Sequence, residues 1–392
     1  MFFDDLLRDG ISQDVGRLCL LIACVGLVYT VAAARCVKQF FRRASVAPSE
    51  FPAVSILKPL HGDEQGLRAN MEALCQLTYP GALEIIFGVQ DPQDPAIAQV
   101  KKLQADFPQM DISLIIDTRE HGANRKISNV INITRSARHD ILVLSDSDIG
   151  INPDYLHRIV AELGKPGVGL VTCLYRGHSH TGFWSRFASM AIDYSFLPNV
   201  IFGMKVGLAK PCFGSTMALR KTTLKQIGGF EAFADHLADD NAIGEAVRAI
   251  GLKIAVPAML VTHSCGESRL RDLITHEIRW SRTIRLVAGA GFAGTVVTHP
   301  LPFALISGLI FHGSTATTIL ILCSILARLY LRHQVDLAVG NPAKSSRWWM
   351  LPIRDTLSFM IFCATFFVGT VTWRGRQFVV GSDGTLSPFE EL

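Results

Sequence analysis

Ile141-Leu142-Val143-Leu144-Ser145-Asp146-Ser147-Asp148 joins an apolar run of strand length to a pair of carboxylates. Four successive aliphatic side chains read as a short strand buried on both faces, and the acids fall where that strand would leave its sheet. Outward from it, residues 54–57, 84–89, 112–116 and 168–174 have the same apolar character, while 64–77 and 95–107 carry helical spacing. Alternating strands and helices predict an α/β domain with a mostly parallel sheet covered by helices. Ligands of such sheets sit at the carboxyl ends of the strands. The positions to examine are therefore Lys58-Pro59, Gln90-Asp91, Asp117 and the stretch from Ser145 to Asp148.

Two acids at i and i+2 after a buried strand can present oxygens jointly to a hard divalent cation, and such a cation can bridge a diphosphate. The plainer reading is a turn in which Asp caps a helix starting near Pro153. Asp91, in Val89-Gln90-Asp91-Pro92, has an ordinary reading as a strand-ending Asx turn. Leu237-Ala238-Asp239-Asp240-Asn241 precedes a helical stretch, 242–249. There the acids are either a cap aligned with the helix dipole, or a pair that raise one another's pKa, as suits a general base. Further on, His276-Glu277-Ile278-Arg279-Trp280 lies among Arg269, Arg271, Arg282 and Arg285. This is either a basic amphipathic helix resting on a membrane or a segment that closes Arg279 and Trp280 over a ligand.

The flanks of this domain are of different composition. Of 392 residues 49% are hydrophobic and 18% charged, and the mean hydropathy is +0.30. The apolar excess sits at the ends: residues 18–34, 286–327 and 356–373 contain no Asp, Glu, Lys or Arg. About 20 apolar residues span a bilayer, so the middle run is long enough for two spans broken near His299-Pro300 or His312-Gly313. Arg35, Lys38, Arg42 and Arg43 follow the first run closely and outnumber Arg8 and Arg17 before it. That reads as an uncleaved anchor with the following domain on the cytosolic side. Arg328, Arg332, Lys344, Arg347 and Arg354 are expected to mark a second cytosolic loop, and Trp348-Trp349 an interfacial anchor. A span at 356–373 would leave Arg374 and Arg376 on the far side, so that run is either re-entrant or an exception to the rule. Residues 183–210, with Trp184, Phe187, Tyr194, Phe196 and Phe202, form an aromatic stretch suited either to a core or to a membrane-interfacial element. Nine dispersed cysteines without a CxxC pair argue against a disulfide framework or zinc site. A formal charge of +4 is too small to suggest nucleic acid and suits an anionic membrane face.

Taken in order, these motifs resemble the inverting glycosyltransferases with a D, D, D, (Q/R)xxRW pattern on a GT-A fold, and more narrowly the ceramide glucosyltransferase family. The resemblance runs from Val54 to Gly384. It rests on Ser55-Ile56-Leu57-Lys58-Pro59-Leu60, Val89-Gln90-Asp91, Asn124-Arg125-Lys126-Ile127-Ser128-Asn129, Asp146-Ser147-Asp148, Ala238-Asp239-Asp240, Ile278-Arg279-Trp280 and Thr372-Trp373-Arg374. It implies a UDP-sugar donor, a membrane-lipid acceptor and a divalent metal, Mg²⁺ or Mn²⁺. By position, Asp91 would contact the nucleotide and Asp146 with Asp148 would hold the metal. Asp240 would be the catalytic base, and Lys58, Lys126, Asp146, His276, Arg279 and Trp280 would bind the donor. His276 stands where the pattern has Gln or Arg. The implied organisation is an anchor over 1–45, a cytosolic GT-A domain over 46–285 and a membrane region over 286–392, in a multi-pass protein of the bacterial inner membrane. Among bacterial members, the Leu237–Asp240 and His276–Trp280 motifs resemble the hopanoid-associated branch, implying N-acetylglucosamine transfer to bacteriohopanetetrol. The alternative is glucose transfer to ceramide. A polysaccharide synthase is less consistent with about four hydrophobic segments, too few for a polymer channel.

Overall fold

The computed structural model describes residues 2–44, 47–180, 182–340, 348–367, 371–373, 376–380 and 386–388. Side chains are described within 10–44, 47–180, 182–340 and 348–367. Two compact units are present. One comprises Arg43–Ser185, Pro211–Ser268 and Gly369–Leu392, and the other Met1–Arg42, Arg186–Lys210 and Arg269–Val368.

The strands of the first unit are β1 (Val54–Pro59), β2 (Leu83–Val89), β3 (Asp111–Ile116), β4 (Ile141–Leu144), β5 (Ile149–Gly150), β6 (Val168–Thr172), β7 (Leu174–Ser179), β8 (Met217–Arg220), β9 (Lys253–Ala255) and β10 (Leu260–Cys265). The main sheet has the order β3-β2-β1-β4-β8-β6-β9. Its first four neighbours pair in parallel, and β8 runs antiparallel to both β4 and β6. The mostly parallel sheet expected from the strand–helix alternation is present. Residues 168–174, expected as one strand, divide instead. After Thr172 the chain leaves the main sheet, and β7 joins β5 and β10 in a small second sheet.

Numbered through the whole chain, the helices begin with α1 (Phe2–Phe41), α2 (Leu67–Cys75), α3 (Ala96–Asp106), α4 (Arg125–Thr134), α5 (Tyr155–Leu163), α6 (Phe183–Ala191) and α7 (Leu197–Lys205). They continue with α8 (Lys221–Gln226), α9 (Asp239–Ala249), α10 (Leu270–Val287), α11 (Gly289–Gly294), α12 (Pro300–Ile310), α13 (Thr315–Val339) and α14 (Met350–Thr365). The core of the sheet unit gathers Leu57, Ile86, Leu142 and Leu144 from the strands with Ile127, Val130 and Ile131 of α4 and Ile243 and Val247 of α9. Burial of these side chains anchors the amino ends of α4 and α9 beside the carboxyl ends of β1 and β4. The loops after those two strands flank the sheet's switch point, where the chain order reverses.

In the helical unit, α1 packs on α7, α12 and α13. Ala23, Thr30, Ala33 and Ala34 face inward, while Leu18, Leu21, Val25 and Val28 are exposed. An exposed aliphatic stripe on a helix this long suits contact with lipid. Gly10–Phe41 and α13 are each long and apolar enough to cross a membrane, and a third candidate is the pair Gly289–Thr298 and Pro300–Ile310, bent by 61°. A break is expected near His299-Pro300 or His312-Gly313, and the helices break at both, before α12 and between α12 and α13.

Two sequence expectations need correction. Arg328 and Arg332 do not lie in a loop: α13 runs on to Val339 with Arg328 buried inside the unit. A guanidinium is tolerated there because Asp355 of α14 neutralises it, a pairing between distant positions that a charge count cannot reveal. Arg354 is likewise buried, within α14. The run 356–373 is not a single span either. Helix α14 has 16 residues and ends at Thr365, and Val371–Trp373 is a strand. Lys344, Arg347, Arg374 and Gly384 lie outside the described residues.

Candidate active site

Lys58 is the penultimate residue of β1 and its side chain is fully enclosed. Its Nζ donates to the carbonyls of Asp146, at 2.7 Å, and Ile149, at 3.0 Å. The lysine therefore pins the acid-bearing loop after β4 against the end of β1. Burial pulls its pKa down to about 8, opposed by the carboxylates of Asp148, Asp146 and Glu64.

Lys126 lies in the first turn of α4, whose Asn124 cap accepts from the Ile127 amide at 3.1 Å. Its ammonium is 2.8 Å from Asp146 Oδ1 and 3.0 Å from Asp239 Oδ2. Burial disfavours this charge, yet the two carboxylates outweigh it and raise the pKa above its ordinary value. Asp146 is shifted up, first by burial and against the pull of Lys126. At the start of α9, Asp239 is buried and Asp240 half-buried. Asp240 Oδ1 accepts from the Asn241 amide at 2.7 Å and Oδ2 from the Gly214 amide at 3.0 Å. Its pKa rises to about 6, through burial and then through the charge of Asp239.

Gly214 is the link that sequence inspection missed. Its amide holds Asp240 while its carbonyl accepts from the Asp146 amide at 3.3 Å. A Cβ at this position would stand 2.6 Å from Asp146 Oδ2 and 3.0 Å from Lys126 Nζ. Only glycine leaves that space open. No local signal in Cys212-Phe213-Gly214-Ser215 marks it, because its neighbours come from three other segments.

Asp148 meets a second residue overlooked in the sequence, His263 on β10, with Nε2 to Oδ2 3.2 Å. Burial disfavours the imidazolium, but the Asp148 carboxylate prevails and the ring titrates well above its ordinary value. Asp91 is exposed and accepts from the Gln93 amide at 2.8 Å, the expected Asx turn. The buried acid of that loop is Asp94, which accepts from the amides of Gly62 and Ala96.

Lys58, Lys126, Asp146, Asp148 and Asp240 thus converge around the loop after β4. His276, Arg279 and Trp280 belong to α10 in the helical unit, where the His276 and Trp280 rings meet edge to face, 4.6 Å between centroids.

The donor set tolerates a hard divalent cation. Asp146 Oδ1 is engaged by Lys126, whereas Oδ2 borders the space kept open by Gly214. No group of three or more His, Cys, Asp or Glu side chains suited to a metal occurs among the described residues. A pair of carboxylates fits an ion that takes its remaining ligands from substrate phosphates and water, as Mg²⁺ commonly does.

The mostly parallel sheet with helices packed on it is a GT-A-like α/β fold, in a chain that also has long apolar helices. A solved structure of similar fold is a mannosyltransferase from Pyrobaculum calidifontis in complex with GDP-mannose and Mn²⁺. The match has a TM-score of 0.52 at 19% identity and covers 90% of this chain and 98% of that one. The protein is a hexosyltransferase of GT-A-like fold. The model of glycosyl transferase family 21 matches residues 18–386, and the chain belongs to that family. Two Caenorhabditis elegans relatives are similar over nearly the whole chain. Ceramide glucosyltransferase 1 is 22% identical, covering 96% of this chain and 82% of its own, and ceramide glucosyltransferase 3 is 24% identical, covering 94% and 81%.

Proposed function

We propose that the protein transfers a sugar, with inversion, from a UDP-sugar to the hydroxyl of a membrane lipid, and that Asp240 is the base. The observation that carries this reading is Asp240 tied through Gly214 to Asp146, with Lys126 beside it. As the acceptor oxygen attacks the anomeric carbon, its proton passes to Asp240 and the bond from that carbon to the diphosphate oxygen breaks. The charge left on the diphosphate is met by Lys126. Asp146 and Asp148 would hold a Mg²⁺ or Mn²⁺, whose chemistry is to neutralise the leaving diphosphate. Asp91 is assigned to the nucleotide, and His276, Arg279 and Trp280 to the donor. Lys58 contributes by setting the height of the Asp146–Ile149 loop.

Ceramide is the acceptor favoured by the two relatives, which are ceramide glucosyltransferases over more than 90% of this chain. The hopanoid reading rests on the motif resemblance alone. The deciding assay supplies the purified full chain with UDP-glucose or UDP-N-acetylglucosamine, and with ceramide or bacteriohopanetetrol. Glucosylceramide is the expected product, a hopanoid glycoside would reassign the acceptor, and no lipid product from any pairing would sink lipid transfer. Chelator should abolish activity, Mg²⁺ or Mn²⁺ should restore it, and Asp146→Ala or Asp148→Ala should weaken metal-dependent donor binding. Full activity in excess chelator would overturn the metal assignment.

A further inference from the structure

Among the described residues of the helical unit Arg282, Arg328 and Arg354 are buried, and the last two have unequal surroundings. Arg328 on α13 is engaged on all three nitrogens. Its Nε and Nη2 donate to Asp355 at 2.8 and 2.7 Å, and Nη1 donates to the Tyr194 carbonyl at 2.9 Å. Arg354 on α14 is only 2% exposed, and of its nitrogens Nη2 donates to Glu277 of α10 at 2.5 Å. Its Nε and Nη1 are enclosed with no acceptor among the described residues. One turn along α14, Ser358 Oγ is also enclosed and without a partner among those residues. Positions i and i+4 share a helix face, so the bare N–H groups and the bare hydroxyl belong to one stripe of α14.

Burying a charged donor without an acceptor is costly, and folded proteins rarely leave one. The missing partner must supply acceptor oxygens, and it must enter among apolar helices. Phe359 and Phe362 of α14 lie against His299 at the start of α12, and Phe303 lies against Phe359. Apart from the His299 imidazole these rings are apolar, a setting that suits a lipid, which carries its oxygens on an apolar body.

We propose that Arg354 and Ser358 form a binding site for the oxygen-bearing head group of a lipid. Two sources share that chemistry, the acceptor lipid and a phospholipid of the bilayer. The acceptor arm rests on the transfer reading above, and the bound-lipid arm does not.

The test uses the full chain in phospholipid-free detergent. Arg354→Lys keeps a cation opposite Glu277 but removes Nε and Nη1, Ser358→Ala removes only the hydroxyl, and Glu277→Gln is the control for the ion pair. An acceptor site predicts that Arg354→Lys raises the KM for the lipid about tenfold or more, as expected when charge-assisted hydrogen bonds are lost. Ser358→Ala should raise it less, and the KM for the nucleotide sugar should not change. A phospholipid site predicts unchanged acceptor KM, with a phospholipid that co-purifies with wild type, by native mass spectrometry, and is lost from Arg354→Lys. Unchanged KM together with an unchanged bound-lipid complement overturns the site. So does a Glu277→Gln variant that reproduces the Arg354→Lys effect in full, since the arginine would then serve only the ion pair. If Arg354→Lys does not fold, Ser358→Ala, which touches no ion pair, reads the same two quantities. A wild type that glycosylates no lipid defeats the transfer reading while the bound-lipid comparison still decides the site.

Discussion

A carboxylate is a stronger base where its surroundings penalise its charge, and Asp240 is so placed. With its pKa raised to about 6, it is protonated below that pH and cannot accept a proton. The kcat/KM should therefore hold above pH 6 and fall as pH drops through it, approaching tenfold per unit. A profile flat from pH 7 to pH 5 would remove Asp240 from this role. Asp240→Asn keeps the shape and deletes the basic oxygen, so turnover should fall on the order of 10²–10⁴-fold while UDP still binds. A variant keeping a third of wild-type turnover would contradict the assignment. Gly214→Ala tests the same site from the backbone side. Its methyl must displace Asp146 or Lys126, so activity should fall at least about tenfold, with metal-dependent donor binding weakened in parallel. Near wild-type kinetics for this alanine would mean that the space beside Asp146 Oδ2 is not used.

Among the secondary-structure elements, those with long apolar runs were legible and those without were not. The expected strands at 54–57, 84–89, 112–116 and 141–144 all appear; β1, β2 and β4 are mostly apolar runs buried on both faces, and β3, only partly buried, pairs along β2 at the edge of the sheet. Strand β8, Met217–Arg220, was missed. It has four residues and no alternation, and it is a strand only because β4 and β6 lie on either side of it. Strand β5 has two residues and depends in the same way on β10. Helix α1 raises the matching point for helices. Its apolar composition was evident, but its packing face is set by small residues that let neighbours approach closely. At Gly26 a Cβ would lie 2.6 Å from the Val297 carbonyl and 3.0 Å from Pro300 Cβ. Gly26→Ile should therefore overpack this contact and destabilise the helical unit by about 1–3 kcal/mol. The check is thermal unfolding of the purified protein in detergent, and a melting temperature equal to wild type would show that α1 packs differently.

At the scale of the whole molecule, the distribution of basic residues makes a prediction about orientation. By the positive-inside rule the basic cluster from Arg35 to Arg43 would put the sheet unit on the cytosolic side, the side on which the proposed UDP-sugar donor would be met. Gln65 is exposed on that unit, which contains no cysteine outside buried or half-buried positions among its described residues. A cysteine substituted for Gln65 should react with an impermeant maleimide in inverted vesicles and stay unlabelled in sealed right-side-out ones. The opposite pattern would invert the topology. The positive-inside count is weaker for the carboxyl-terminal half, since Arg328 and Arg354 are spent on Asp355 and Glu277 inside the helical unit.

The amino-acid sequence by itself determined the class of fold, the presence of apolar helices at both ends, and which acids follow which strands. Each of these depends on composition and spacing within a short window, where burial and the periodicity of strands and helices leave a direct imprint. Tertiary structure alone decided which groups share a charge. Lys126 bridges Asp146 to Asp239, Gly214 ties Asp240 to the Asp146 loop, His263 meets Asp148, and Arg328 is neutralised by Asp355. These partners are far apart along the chain, and Coulomb energy depends on separation in space and on local dielectric. A sequence can show that a residue carries charge, but only the folded chain shows what that charge faces and how far water is kept from it.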